Sequence, residues 1–84
     1  MNGKIESRKG SFRFGTLCCR YEIYSENENI YLKGEEFEGE EMILEEVMVF
    51  CQEDSVFAEG LYSLLLKTRS CPRMMYELAE EILP

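Results

Sequence analysis

The residues of this chain that could do chemistry are mainly carboxylates, and they are concentrated in one stretch. Residues 21–59 hold thirteen acidic side chains and a single base, Lys33. Residues 1–20 hold five bases and one acid, Glu6, and the net charge of the whole chain is −8. A charge distribution of this kind creates a strong local field that attracts or imitates charged partners. Electrostatic recognition is therefore the first function to consider.

The densest acidic segment is residues 34–41, in which two glycines and five glutamates share eight positions. This composition is typical of an exposed loop, with Phe37 as its one apolar anchor. We predict that a partner contacts the carboxylates of this loop and of the neighbouring strands. They are Glu35, Glu36, Glu38, Glu40 and Glu41, extended by Glu22, Glu26 and Glu28 and, if the strands pair as predicted, by Glu45 and Glu46.

Two interpretations of these acids remain open. A run of like charges is usually a solvated surface that keeps a small protein soluble. Alternatively, the carboxylates occupy the basic groove of a nucleic-acid-binding protein, because they imitate the dense negative charge of phosphates. The spacing lacks the oxygen-ligand ladder and glycine of a calcium-binding loop, so we predict no metal site.

Catalysis has few candidate groups in this sequence. Histidine, the commonest general base near neutral pH, is absent. We therefore predict a protein that is not an enzyme and needs no cofactor. The four cysteines form no CxxC pair, and we expect reduced, inert thiols that behave as small apolar side chains. Cys18 and Cys19 point to opposite faces of a strand, whereas Cys51 and Cys71 stand alone.

Two tyrosines flank the turn predicted at residues 25–29. Tyrosine is favoured at interfaces because its ring is large and its hydroxyl tolerates water. Tyr24 and Tyr31 are therefore candidate partner-binding residues. The alternative is that they pack against each other across a hairpin.

The first half of the chain must supply strands to carry these groups. Residues 1–10 are a basic arm or a short strand, and residues 11–84 form a single domain. Residues 11–25 alternate as a half-buried strand whose phase shifts near Gly15, as a bulge or bend would cause. A return strand starts at Ile30, and residues 42–50 resume strand character. The apolar run 47–50 predicts a central strand, and a helix over residues 40–46 remains an alternative.

The second half of the chain predicts two helices. Asp54 or Ser55 caps the first helix, and Ser70 with Pro72 starts the second. Their apolar stripes are Phe57, Leu61, Leu64 and Leu65, and then Met75, Leu78, Ala79 and Ile82. The fold class is therefore α+β, with a small antiparallel sheet of three or four strands followed by two C-terminal helices on one face.

The chain also limits the class of partner and the compartment. No apolar run is long enough to span a bilayer, and no leader follows Met1, so we expect a cytoplasmic protein without membrane contact. The last helix carries three glutamates against Arg73, which disfavours direct binding of nucleic acid. A chain this short buries little surface, so a homodimer is a natural way to bury more.

Several short motifs give a family resemblance over residues 12–83. They are Phe14-Gly15, Glu53-Asp54-Ser55, Ser70-Cys71-Pro72 and the ending Glu80-Glu81-Ile82-Leu83. In these motifs the chain resembles a family of short proteins from Firmicutes and their mobile elements that has no assigned activity. The resemblance implies the same order of sheet and helices, and it implies no site residue.

The sequence therefore predicts a small acidic protein that binds another protein. The concrete hypothesis is a phage or mobile-element inhibitor, similar to an anti-CRISPR protein, that blocks a nucleic-acid-binding host protein such as a CRISPR effector. The alternative is a bacterial regulatory or adaptor domain that acts through a helical, dimeric interface. Salt separates the two hypotheses, because electrostatic contacts weaken with ionic strength and apolar contacts barely respond.

Overall fold

The computed structural model describes residues 7–82 and contains a four-stranded antiparallel sheet followed by two helices. The α+β prediction is confirmed. The strands are β1 (Ser7–Phe14), β2 (Leu17–Glu26), β3 (Asn29–Glu38) and β4 (Glu41–Cys51), and the helices are α1 (Ser55–Thr68) and α2 (Met75–Ile82). A short 3-10 turn precedes each helix, at Gln52–Asp54 and at Pro72–Met74. Of the proposed arm, residues 1–6 lie outside the described residues, and β1 runs through residues 7–10 without a boundary.

Three two-residue turns connect the strands into a meander in the order β1-β2-β3-β4. Gly15 and Gly39 have positive φ, and Asn27 and Glu28 are both left-handed, which matches the twist of tight hairpins. The turn predicted at residues 25–29 is therefore confirmed. The phase shift near Gly15, predicted to be a bulge or bend within one strand, is a hairpin turn that separates two strands.

The meander has one face covered by the helices, the covered face, and one uncovered face, the open face. Because side chains alternate along a strand, neighbours in sequence lie on opposite faces. Cys19 and Tyr21 of β2 are buried on the covered face. Their neighbours Cys18, Arg20 and Glu22 belong to the open face. The predicted alternation of β2, with Cys19 and Tyr21 on one face and their sequence neighbours on the other, is therefore confirmed.

The loop predicted at residues 34–41 is wrong for most of its length, since β3 continues to Glu38 and only residues 39–40 turn. Gly34 is buried because Pro72 packs on it: an added Cβ would lie 2.9 Å from the Pro72 Cβ. The helical alternative for residues 40–46 is also wrong, because β4 spans Glu41–Cys51. This strand is not central but lies at the edge of the sheet.

The core lies between the covered face and the two helices. Its buried apolar residues are Tyr21, Ile23, Ile30, Leu32, Ala58, Leu61, Tyr62, Leu65, Met75 and Ala79. Within the predicted stripes, Leu61, Leu65, Met75 and Ala79 are buried, whereas Ile82 is exposed. Neither helix has a side-chain cap where it was predicted: Asp54 holds the N-cap position of α1 without a side-chain hydrogen bond, and Cys71 rather than Ser70 precedes the second 3-10 turn.

Both edge strands of the sheet, β1 and β4, contact the helices through side-chain interactions. Arg8 of β1 pairs with Glu59 of α1 and lies over the Tyr62 ring, 5.5 Å from its centroid. On β4, the Tyr76 hydroxyl of α2 donates to the Val47 carbonyl at 2.8 Å. Within residues 7–82, neither helix combines the length and the apolar character that crossing a membrane requires.

Candidate interaction surface

The open face has four parallel rows of side chains, set by the register of the strands. From β1 to β4 the rows are Ser7–Tyr24–Tyr31–Val49, Lys9–Glu22–Lys33–Val47, Ser11–Arg20–Glu35–Glu45 and Arg13–Cys18–Phe37–Met42. The two outer rows carry aromatic and apolar groups, and the two middle rows carry most of the charges. The face therefore combines apolar area with groups of both signs.

The middle rows hold a ladder of ion pairs. The Lys33 Nζ lies 3.8 Å from Glu22 Oε1 and 3.9 Å from Glu35 Oε2. The Arg20 Nε lies 3.9 Å from the other Glu35 oxygen. These groups line a half-open depression of about 320 Å³ on the sheet. The charged groups of the two middle rows are therefore paired mainly with one another.

The outer rows are built on aromatic contacts. Tyr24 and Tyr31 are direct cross-strand partners, and their rings stack with centroids 5.1 Å apart and an interplanar angle of 11°. At the other end of the face, the Arg20 guanidinium lies 4.4 Å from the Phe37 ring centroid. The tyrosines thus pack across the hairpin, as the alternative interpretation held, and both remain half-buried with part of each ring accessible.

The β4 side of the open face carries several exposed apolar residues. Val47 and Val49 project from it, and the Val49 side chain is 57% exposed. Met42 and Ile43 are exposed beside the β3–β4 turn. The register shifts between Glu36 and Phe37, which leaves Ile43 as an extra residue on β4. We call these four residues the β4 strip.

Glu36 departs most from the predicted acidic surface. It is fully buried on the covered face, where the Arg73 side chain and backbone N–H hold its carboxylate. The guanidinium Nη2 donates to Oε1 at 2.5 Å, and the backbone N–H donates to Oε2 at 3.0 Å. These hydrogen bonds hold the pKa of Glu36 below its usual range, although burial opposes them. The expectation that Glu36 lies on an accessible loop is wrong.

Apart from Glu45 and Glu46 of β4, the other predicted acids are divided among three places. Glu38, Glu40 and Glu41 are exposed at the β3–β4 turn, whereas Glu26 and Glu28 are exposed at the β2–β3 turn. These turns lie at opposite ends of β3, which puts them about 30 Å apart for a ten-residue strand. Glu22 and Glu35 lie between them in the ion-pair ladder described above. The acids therefore do not form one continuous patch.

A second polar cluster lies on the covered face and was not predicted. We call it the linker anchor, because three sheet residues hold the segment between α1 and α2. The Tyr21 hydroxyl donates to the Ser70 carbonyl at 2.5 Å, the Cys19 thiol donates to the Cys71 sulfur at 3.5 Å, and Glu36 binds Arg73. Burial raises the pKa of Tyr21 above its ordinary value, and it raises that of Cys19 to about 12.

The linker anchor gave only a weak signal in the sequence. Its pairs are separated by 37 to 52 residues, and no local pattern joins them. If the strand that starts at Ile30 is continued past Gly34, its alternation places Glu36 on the same face as Leu32. Composition favoured a loop instead. Among residues 7–82, no group of three or more potential ligand side chains is arranged to hold a metal ion.

No family model matches the chain, and neither a curated protein nor a solved structure matches it. The resemblance to a family from Firmicutes therefore stays a prediction.

Proposed function

We propose that this protein is a non-enzymatic binding protein whose open face docks on another folded protein. One observation carries the proposal. A complete face of the sheet has no covering layer within the described residues, and it presents the β4 strip beside the Tyr24–Tyr31 stack. Exposed apolar groups bordered by polar ones mark interaction sites on small proteins.

The composition of the face supports a protein partner. Tyrosine, phenylalanine, methionine and arginine are enriched in protein interfaces, and all four occur here. Arg20 on Phe37 and Tyr24 on Tyr31 are already ordered by contacts within the sheet. Pre-ordered side chains lose less entropy when a partner binds, which improves affinity.

The charge distribution defines the chemistry of the partner. Lys9 and Arg13 of β1 belong to no ion pair among residues 7–82, so the β1 side is basic. The β4 side has Glu45 and, at the adjacent turn, Glu38 and Glu41. A complementary surface therefore has apolar groups facing the β4 strip, basic groups facing the β3–β4 turn and acidic groups facing Lys9 and Arg13. A nucleic-acid-binding protein with a basic groove beside an apolar ridge fits this requirement, in keeping with the inhibitor hypothesis.

Two other surfaces compete with the open face. The exposed glutamates of the β3–β4 turn could act alone as a phosphate mimic. The helices could instead form the interface of an adaptor or a dimer, and Val56 of α1 is 83% exposed. Each alternative places the partner against different residues, so position-specific crosslinking distinguishes them.

The experiment places one photo-crosslinking amino acid at Val49, Glu40 or Val56 and irradiates the producing cells. Each position is exposed, so substitution leaves the core intact. We expect a covalent adduct with a different protein at Val49, with weaker adducts at Glu40 and none at Val56. Mass spectrometry then identifies the partner, and the pair is purified for affinity measurements in low and high salt.

The outcomes separate the hypotheses. Adducts at Glu40 alone, with binding lost in high salt, would favour the acidic mimic over the open face. Adducts at Val56 alone would favour the helical adaptor. An adduct between two copies of this chain at Val49 would make the open face a dimer interface, and light scattering on the purified protein would confirm that state.

A further inference from the structure

Two thiols that are remote in sequence meet beneath the helices. Cys19 lies on β2 and is completely buried, and Cys71 lies in the segment between α1 and α2 and is half-buried. Their sulfur atoms are 3.5 Å apart, although 52 residues separate them along the chain. Cys71 has no cysteine neighbour in the sequence, but it has one in the fold. Both residues are free thiols in this structure.

We propose that Cys19 and Cys71 form a reversible intramolecular disulfide when the folded protein meets a hydroperoxide. This modification would join the sheet to the segment between the helices. It goes beyond the proposed binding function, since the two sulfurs lie on the covered face and the docking surface is the open face.

The surroundings of the pair favour the reaction. A disulfide needs its sulfur atoms about 2.05 Å apart, so they must approach by a further 1.5 Å or so. Cys71 is in extended backbone outside α1 and α2, and its carbonyl accepts a hydrogen bond from the Met74 N–H at 2.8 Å in the short 3-10 turn. A small shift of Cys71 therefore leaves the hydrogen bonds of α1 and α2 in place. On either side of it, the Tyr21–Ser70 and Glu36–Arg73 contacts hold the segment against the sheet. The two thiols therefore stay within reach of each other.

The order of the steps follows from exposure. Cys71 is the partly exposed residue of the pair, whereas burial keeps Cys19 protonated. The Cys71 thiolate attacks one oxygen of the hydroperoxide and breaks the O–O bond, giving a sulfenic acid and, for hydrogen peroxide, one water after protonation. The Cys19 sulfur then attacks the Cys71 sulfur. The S–S bond forms, the S–O bond breaks, and the hydroxide leaves as a second water with the Cys19 proton.

The electrons balance in this scheme. The two thiols lose two electrons and two protons, and the hydrogen peroxide is reduced to two waters. A small thiol reverses the reaction by exchange through a mixed disulfide. The other two cysteines are placed differently: Cys18 belongs to the open face, and the Cys51 thiol donates to Asp54 at 3.3 Å.

The test uses two variants that each keep two cysteines. C18S/C51S keeps the pair Cys19 and Cys71, and C19S/C51S keeps Cys18 and Cys71 as a matched control. Each folded protein is treated with hydrogen peroxide and analysed by intact mass. We expect C18S/C51S to lose about 2 Da as a monomer, the two hydrogens of a disulfide, and to regain them with a reducing thiol. Because the disulfide closes a long loop, the melting temperature of oxidised C18S/C51S should exceed that of its reduced form by more than about 10 °C.

The control should show no loss of mass as a monomer and should instead gain oxygen or form a dimer through Cys71. If serine at the buried position 19 prevents folding, C51S/C71S serves as the control, because it keeps Cys18 and Cys19 on opposite sides of the strand. The proposal is overturned if folded C18S/C51S keeps its full mass, gains only oxygen, or crosslinks only between molecules. It is also overturned if a control forms the same intramolecular bond at the same rate.

Discussion

The two faces of the sheet treat the same kind of side chain in opposite ways. Glu35 and Glu36 are adjacent in β3, yet Glu35 joins a loose ion-pair ladder on the open face and Glu36 is fully buried under Arg73. A buried carboxylate is costly unless it is paired and hydrogen-bonded, and Glu36 meets both conditions. A run of acids in a strand therefore does not form one surface, because alternate side chains lie on opposite faces of the sheet.

The faces also differ in how they use apolar groups. On the covered face, Leu32 and Leu61 have no exposed surface and belong to the core between sheet and helices. On the open face, Val47 and Val49 remain in contact with solvent. Burial stabilises the fold in the first case, while in the second the apolar area stays exposed and is the surface proposed to bind a partner. The predictions below test this division, beginning with the largest expected effect.

The largest effect is expected from truncation in the covered face. Leu32→Ala should lower the free energy of unfolding by about 3 kcal/mol, because it removes buried methyl groups and leaves a cavity. Its control Val49→Ala should change stability by about 0.5 kcal/mol or less, because Val49 is largely exposed. Urea denaturation measures both. Equal losses for the two variants would contradict the division between the faces.

The close contact beneath Pro72 should give the next largest effect. Gly34→Ala places a methyl group 2.9 Å from both the Pro72 Cβ and the Tyr21 Cε1, so we expect a loss of about 2 kcal/mol from overpacking. Gly60→Ala is the matched control. Nothing lies within 4 Å of its added Cβ, and alanine favours a helix, so it should gain up to about 1 kcal/mol. Thermal unfolding of both variants decides the comparison, and a neutral Gly34→Ala would count against tight packing of the linker.

The buried ion pair should contribute a pH-dependent part of the stability. The pKa of Glu36 is lowered in the folded protein, so its contribution is complete above the ordinary value of 4.5 and is lost as the pH falls through the folded value. Glu36→Gln should therefore be less stable than the wild type at pH 7, and this difference should shrink below about pH 4.5. Glu40→Gln, at an exposed turn, is the control. A difference that stays constant down to pH 3 would show that Glu36 is not held ionised by Arg73.

The smallest effect is expected in the open-face ladder. Lys33→Gln removes both of its ion pairs, but these pairs are long and partly exposed, so stability should fall by less than about 1 kcal/mol. The loss should decrease further in 1 M salt, because salt screens surface pairs. Urea denaturation at two salt concentrations measures both quantities. A loss as large as that of Leu32→Ala would mean that the ladder is part of the structural core.

Several elements of the fold could be predicted because their signals are local. The alternation of Leu17, Cys19, Tyr21 and Ile23 gave β2 and its buried face, and the leucine spacing gave α1. The hairpin turns at Gly15 and Gly39 could also have been predicted, since both have the glycine that a left-handed turn position favours. The first was missed because the phase shift indicated a bulge or bend, and the second because the acidic composition indicated a long loop.

The candidate surface was predicted less well than the fold. Tyr24 and Tyr31 were placed correctly on both sides of a turn, and Glu22 and Glu35 do lie on the open face. The position of β4 at the edge, which exposes the β4 strip, depends on where the chain goes after residue 51 rather than on the strand itself. The run Val47–Phe50 is apolar enough for a central strand, and its local sequence does not distinguish the two positions.

The sequence by itself determined that an antiparallel sheet comes first and two helices follow, because periodicity and helix stripes act over a few neighbouring positions. Only the tertiary structure decided which carboxylate is buried, which face stays open and which two thiols meet. The buried Glu36 carboxylate is stabilised by Arg73, which is 37 residues away in the sequence, and Cys19 contacts Cys71, which is 52 residues away. Contacts between residues so far apart are set by the packing of whole elements, and no short-range pattern encodes them.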